Sequence, residues 1–93
     1  MDLKFKRYFF KNYGGHIVHQ FKSLNGNLEL IVHEGFYDVG VGAFPFLKSL
    51  VSFWYVRKGR KKVAEGFDVE SLNEYLKKNN VKLLDEAGEE VCF

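Results

Sequence analysis

The densest group of reactive side chains in the sequence is a run of cations around one glycine. Five of the six positions from 57 to 62 are basic, and they surround Gly59: Arg57, Lys58, Arg60, Lys61 and Lys62. Cations this close repel one another, and either water or a bound anion relieves the repulsion. Two interpretations stay open: contact with the phosphates of a nucleic-acid backbone, or a solvated turn that protects a sheet edge from aggregation.

The amino-terminal segment offers a second, weaker group. Residues 3–10 alternate as a β-strand, and the alternation predicts one face made of Lys4, Lys6, Tyr8 and Phe10. Bases stack on faces of this composition and phosphates bind there. The alternative is that the two rings belong to the core, under the segment around Pro45, while the lysines extend into water.

Three histidines could bind a metal or carry a proton. His16, His19 and His33 fall on one predicted hairpin, where His19 faces the core and the other two face outward as diagonal neighbours. Catalytic zinc needs three convergent ligands and structural zinc needs four. We therefore predict no metal site. A small nuclease that uses His16 or His33 as acid or base is the third-ranked function.

The remaining motifs predict no catalytic residue and no cofactor. Gly40-Val41-Gly42 lacks the third glycine and the lysine of a phosphate-binding loop. The one cysteine, Cys92, has no partner for an internal disulfide, which favours a reducing, cytoplasmic location.

The strongest structural signal is Asn25-Gly26, which is typical of a type I′ hairpin turn. This turn fixes a register in which Lys22 faces Glu29, Phe21 faces Leu30 and His19 faces Val32. Further strands are predicted over 36–41, 50–57 and 60–67. The segment 44–47 is ambiguous, because Pro45 is compatible either with the start of a short helix or with the interruption of a strand. A membrane span over 36–56 is disfavoured by Lys48 near its middle.

A single helix is predicted over 68–79. Asp68 is a favourable N-cap, Phe67 and Leu72 are spaced as a hydrophobic staple, and Asn79-Asn80 ends the helix. Two short strands follow, at 81–84 and 90–93. The prediction is one α+β domain over 1–93, with a mainly antiparallel sheet built from hairpins and the helix on one of its faces.

Charge is divided along the chain. Residues 1–62 hold eleven Lys or Arg and four Asp or Glu, while residues 63–93 hold three and eight, giving +7 and −5. The first-ranked function is a non-enzymatic protein-binding module, of the kind found among small phage or mobile-element inhibitors, that occupies a surface of a larger nucleic-acid-handling assembly. The alternative is direct nucleic-acid binding by the basic hairpin. Head-to-tail self-association of the opposite halves is a further hypothesis.

Overall fold

The computed structural model describes residues 3–38 and 47–93, which form six strands and one helix. In chain order these are β1 Leu3–Asn12, β2 His16–Ser23, β3 Leu28–Asp38, β4 Leu47–Lys58, β5 Lys61–Gly66, α1 Val69–Lys78 and β6 Val81–Leu84.

The strands form one sheet in the order β5-β4-β3-β2-β1-β6. Strands β1 to β5 are a meander of antiparallel neighbours, and β6 pairs with β1 in parallel. The chain crosses from the β5 edge to the β6 edge through α1, because a parallel pairing needs a crossover connection. The predicted α+β class, with a mainly antiparallel sheet and one helix, is confirmed.

The β2–β3 hairpin has the predicted register, with Lys22 opposite Glu29 and Phe21 opposite Leu30. Its turn differs from type I′. Gly26 has a φ of 78° whereas Asn25 does not have a positive φ, and the Gly26 amide donates to the Ser23 carbonyl at 2.8 Å. The turn is therefore a four-residue turn closed by a left-handed glycine, and it keeps the same pairing.

Strands β3 and β4 are longer than expected. The predicted strand at 36–41 is the continuation of β3 as far as Asp38, and the rest of that segment lies outside the described residues, as do residues 44–46 of the ambiguous segment. From Leu47 onward the chain is strand, so the helical alternative is wrong there. In the described part of the chain, no helix has the length and apolar character needed to cross a membrane.

Helix α1 begins after Asp68, whose carboxylate accepts from the Ser71 amide at 2.8 Å, and Asn79 is its C-cap. Leu72 is fully buried on the sheet, where the indole of Trp54 donates to the Ser71 hydroxyl at 2.9 Å. Both predicted helix ends are confirmed. The predicted staple is wrong, because Phe67 is 72% exposed.

The carboxyl-terminal segment folds back over the same face as the helix. Leu84 and Glu90 form an isolated bridge, so the predicted strand at 90–93 is reduced to one bridging residue. The Phe93 ring meets His19 and Phe21 edge-on, with centroids 5.1 and 6.1 Å apart. The main core thus lies between this face of the sheet and α1, built from Phe5, Phe21, Leu30, Val32, Val51, Trp54, Val56, Leu72 and Leu83.

Candidate functional site

The two faces of the sheet are in different environments. Helix α1 and the carboxyl-terminal segment pack on one of them, which we call the helix face. On the opposite side, which we call the open face, none of the described elements outside the sheet is packed. Strand alternation places Lys6 and Lys22 on the open face because their neighbours Phe5 and Phe21 are in the core.

A row of charged side chains crosses five strands of the open face. Each member is the cross-strand partner of the next, and we call them the charge row: Lys6, Lys22, Glu29, Arg57 and Lys62. Neighbouring strands are about 4.8 Å apart, so the row is roughly 19 Å long. It contains four cations and one carboxylate. Lys6 and Lys22 oppose each other directly, an arrangement that destabilises an isolated sheet.

Glu29, the carboxylate of the row, is already engaged. Its Oε2 accepts from the Tyr8 hydroxyl at 2.7 Å and from Arg57 Nη2 at 2.9 Å. These hydrogen bonds hold the Glu29 pKa below its ordinary value. Burial, followed by the hydrogen bond to Glu29, raises the pKa of Tyr8 to about 12. The Arg57 Nε is buried and has no hydrogen-bond partner among the described residues.

A bulge in β1 decides which rings reach the open face. The pairing shifts between Arg7 and Phe9, and Tyr8 is the additional residue. Consequently Tyr8 and Phe9 both lie on the open face, while Phe10 pairs with His19 on the helix face. The predicted face of Lys4, Lys6, Tyr8 and Phe10 is correct for the first three residues and wrong for Phe10. Its place is taken by Phe9, because alternation cannot anticipate a bulge.

Beside the charge row lies a group of stacked rings, which we call the aromatic cluster: His33, Phe53, Tyr55 and Phe67. Phe53 is central, with ring centroids at 4.7 Å from His33, 5.4 Å from Tyr55 and 6.3 Å from Phe67. All three pairs are close to parallel, at 25°, 28° and 26°. The Lys62 ammonium lies over Tyr55, 5.5 Å from the ring centroid, so the cluster and the charge row are in contact.

The strand register divides the five basic residues of the predicted hairpin between the charge row and the end of the hairpin. Arg57 and Lys62 belong to the charge row, and Lys62 also forms a 3.0 Å ion pair with Glu65. Lys58 and Lys61 pair with each other at the end of the hairpin, and Arg60 lies in the turn beside Gly59, which has a φ of 62°. Lys58, Arg60 and Lys61 are exposed. Arg57 and Lys62 are each paired with a carboxylate, Glu29 and Glu65 respectively.

Two further cations on the open face were missed by sequence reasoning. Lys11 is opposite Val18, and Lys82 is opposite Lys4 in the parallel β1–β6 pair. Lys11 follows the bulge, and Lys82 belongs to a strand whose partner is 78 positions away in the sequence, so local patterns carried no signal for either.

The histidines occupy two separate clusters. On the open face, His16 Nε2 and His33 Nδ1 are 2.9 Å apart, as the predicted diagonal placement requires. Burial, and then the nearby His16, lowers the His33 pKa. One of the two nitrogens must be an unprotonated acceptor for this contact to form.

On the helix face, His19 is buried between charged groups. Arg7 Nη1 donates to its Nδ1 at 3.1 Å, which leaves Nε2 to donate to Glu34 Oε1 at 2.9 Å. Arg7 also pairs with Glu86. Burial lowers the His19 pKa. Both ring nitrogens are therefore engaged, Nδ1 through Arg7 with Glu86 of the carboxyl-terminal segment and Nε2 with Glu34 of β3, and neither is available as a base.

Among the side chains that the structure describes, no group of three or more His, Cys, Asp or Glu converges as a metal site. The Gly40-Val41-Gly42 motif lies outside the described residues. Cys92 is an exposed free thiol. Comparison of the chain with family models, curated proteins and solved structures finds no match.

Proposed function

We propose that this protein is a non-enzymatic binding module that binds nucleic acid on the open face of its sheet. The observation that carries the proposal is the charge row with the aromatic cluster beside it. Cations neutralise phosphates and rings stack on bases, and the two kinds of group are adjacent on a face where no described element outside the sheet packs.

The balance of charge on this face supports a polyanionic partner. Seven cations lie there by register, namely Lys4, Lys6, Lys11, Lys22, Arg57, Lys62 and Lys82. The two carboxylates identified among them, Glu29 and Glu65, are each held in an ion pair with a member of the charge row. The other five cations form no ion pair in the described part of the chain. Their mutual repulsion is relieved when phosphates replace mobile counterions.

The exposed end of the basic hairpin lies beside one end of the charge row. Lys58 and Lys61 are one residue beyond Arg57 and Lys62 along β4 and β5, and Arg60 is in the turn between them, so a backbone that leaves the row at Lys62 is close to all three. In this proposal they strengthen binding without providing sequence specificity, because contacts to phosphates carry no base information. The proposal also places the protein in the cytoplasm, where nucleic acid is accessible and the Cys92 thiol stays reduced.

The test is a titration of labelled 20-nucleotide single strands by fluorescence anisotropy, repeated across a series of salt concentrations. The variant Lys6→Ala/Lys22→Ala removes two cations of the charge row. Each phosphate contact to a single strand contributes about 0.7 to the slope of log K against log salt, so the slope should become shallower by about 1.4.

The matched control is Lys77→Ala/Lys78→Ala, which removes the same charge from the exposed last turn of α1. It should leave the slope within about 0.3 of the parent, since those lysines are far from the open face. Equal losses for the two double variants would refute the proposed surface, and so would the absence of any salt-dependent binding by the parent.

A protein target is the second candidate, and the separation of charge favours it. Glu70, Glu74, Glu89 and Glu90 are exposed on the elements away from the open face. A small inhibitor could use that acidic side against a basic groove of a nucleic-acid-handling assembly. Pull-down from host lysate with and without nuclease separates the candidates, because only a direct protein contact survives the nuclease.

A further inference from the structure

The aromatic cluster carries an inference that rests on the proposed function and names its ligand more closely. We infer that Phe67 is a stacking platform for an unpaired base, and that the bound nucleic acid is single-stranded, running across the strands of the sheet.

Phe67 is the most exposed large apolar side chain of the described residues, with 72% of its surface accessible. It lies between the end of β5 at Gly66 and the N-cap Asp68, at a position where sequence spacing predicts a staple with Leu72. Instead, one side of its ring is directed at Phe53, in near-parallel orientation. Leu72 is in the core beneath the helix on the opposite face.

The cluster supports Phe67 from one side only. His33, Phe53 and Phe67 form a series across β3, β4 and the segment after β5, with successive centroids 4.7 and 6.3 Å apart. Phe67 ends this series, and within the described residues its ring stacks on Phe53 alone. A base placed on it would extend the stack by one more parallel ring.

The geometry of the face matches a nucleotide strand. Tyr55 is two residues from Arg57 along β4, and Phe53 is two further, so ring rows lie about 7 and about 13 Å from the charge row. The charge row and the ring rows both run perpendicular to the strands. A single strand lying across the sheet can thus keep its phosphates on the charge row while its bases turn towards the cluster.

A duplex does not fit this arrangement. Its base faces are covered by neighbouring base pairs, so rings on a protein surface can reach only the edges of the bases. Every unpaired base, in contrast, has a free π-face that stacks without regard to sequence. Rings beside a cation row therefore select a single strand over a duplex, whereas a cation row alone favours the higher charge density of the duplex.

The first measurement compares the affinities of single-stranded dT20, single-stranded rU20 and a 20-base-pair duplex for the parent and for Phe67→Leu. Leucine keeps an apolar side chain and removes the ring. We expect both single strands to bind more tightly than the duplex, and Phe67→Leu to weaken single-strand binding by about fivefold to a hundredfold. The salt slope should stay at the parent value, since no charge is changed.

The second measurement is direct. Phe67→Trp places an exposed indole at the proposed platform, and Ala87→Trp places one in the exposed turn after β6 as a control. Single strands should quench the fluorescence of the first variant and leave the second unchanged. Trp54 is buried and contributes a constant background to both. Quenching of both indoles to the same extent would mean non-specific contact and would overturn the inference.

The outcomes separate the inference from the proposed function. If Phe67→Leu binds single strands like the parent while Lys6→Ala/Lys22→Ala loses affinity, the open face binds nucleic acid and the stacking role is wrong. Tighter binding of the duplex than of either single strand would likewise overturn the stacking role alone. If the lysine variant also binds like the parent, both proposals fail. Phe67 contributes little buried area, so thermal unfolding of Phe67→Leu should match the parent and keep the comparison valid.

Discussion

Glu29→Gln should tighten nucleic-acid binding while it weakens the fold. Glu29 is the one carboxylate of the charge row, and its Oε2 accepts from both Tyr8 and Arg57. Glutamine has the same shape and still offers an oxygen to both donors, but it no longer neutralises the guanidinium. The change therefore frees a cation in the middle of the row without removing the side chain that fills the space.

The size of each effect follows from these contacts. One additional cation available to phosphate should make the salt slope steeper by about 0.7, which corresponds to about fivefold tighter binding at 0.1 M salt. Two hydrogen bonds lose the assistance of a charge, and the Arg57–Glu29 pair has side-chain exposures of 41% and 24%. A half-solvated pair of this kind contributes about 1 kcal/mol to the free energy of unfolding.

The assay combines anisotropy titrations in a salt series with urea unfolding of the same protein samples. Glu74→Gln serves as the control, because it makes the same change in net charge on the exposed surface of α1. Its affinity should rise by less than about twofold. If Glu29→Gln binds no more tightly than Glu74→Gln, phosphates do not lie on the charge row. Opposite changes in affinity and stability cannot arise from partial unfolding, which would lower both.

Two further predictions concern the helix face. Gly66→Ala places a Cβ closer to Trp54 Nε1 and Ser71 Oγ than van der Waals contact allows. It should therefore break the hydrogen bond between these two groups and lower the free energy of unfolding, measured in urea, by about 1–3 kcal/mol. Parent-like stability would show that the helix can move away at no cost. Burial lowers the pKa of His19 from its ordinary 6.5, so the unfolded chain takes up the proton first and stability falls as pH drops below that value. The unfolding temperature should therefore decrease between about pH 7 and 5. His19→Gln leaves His33 as a second histidine with a lowered pKa, so it should flatten part of that decrease; an unchanged pH profile would contradict the assignment.

Local signals in the sequence were sufficient for the hairpin and the helix. The opposite charges of Lys22 and Glu29 and the alternation of Phe21 and Leu30 determine one register, because a shift by a single residue would turn the apolar side chains to the wrong face. The predicted turn type was wrong, but the predicted register was not affected, because the four-residue turn at Gly26 joins the same strand partners. Asp68 and Asn79 similarly place the helix ends from groups within one turn of each.

The candidate site depended on features that local patterns do not encode. The bulge at Tyr8 exchanges Phe10 for Phe9 on the open face, and a bulge depends on the neighbouring strand as much as on its own residues. Lys82 lies on this face because β6, which follows the crossover helix, pairs in parallel with β1. Phe67 had a plausible local partner in Leu72, and only the three-dimensional placement of Phe53 shows why the ring turns the other way.

The separation of charge along the chain is kept in part as a separation across the sheet, although Glu65 and Lys82 of the second half also lie on the open face. In β1 and β2 the lysines alternate with core residues, as Lys4 and Lys6 do around Phe5, so the pleat directs the cations to one side. The acidic residues of the second half, such as Glu70 and Glu74, are exposed on the helix that covers the other side. A polyanion that approaches the molecule is attracted by the cations of the open face. This attraction steers the encounter towards that face, and it shows how a molecule with a net charge of only +2 can present a basic surface.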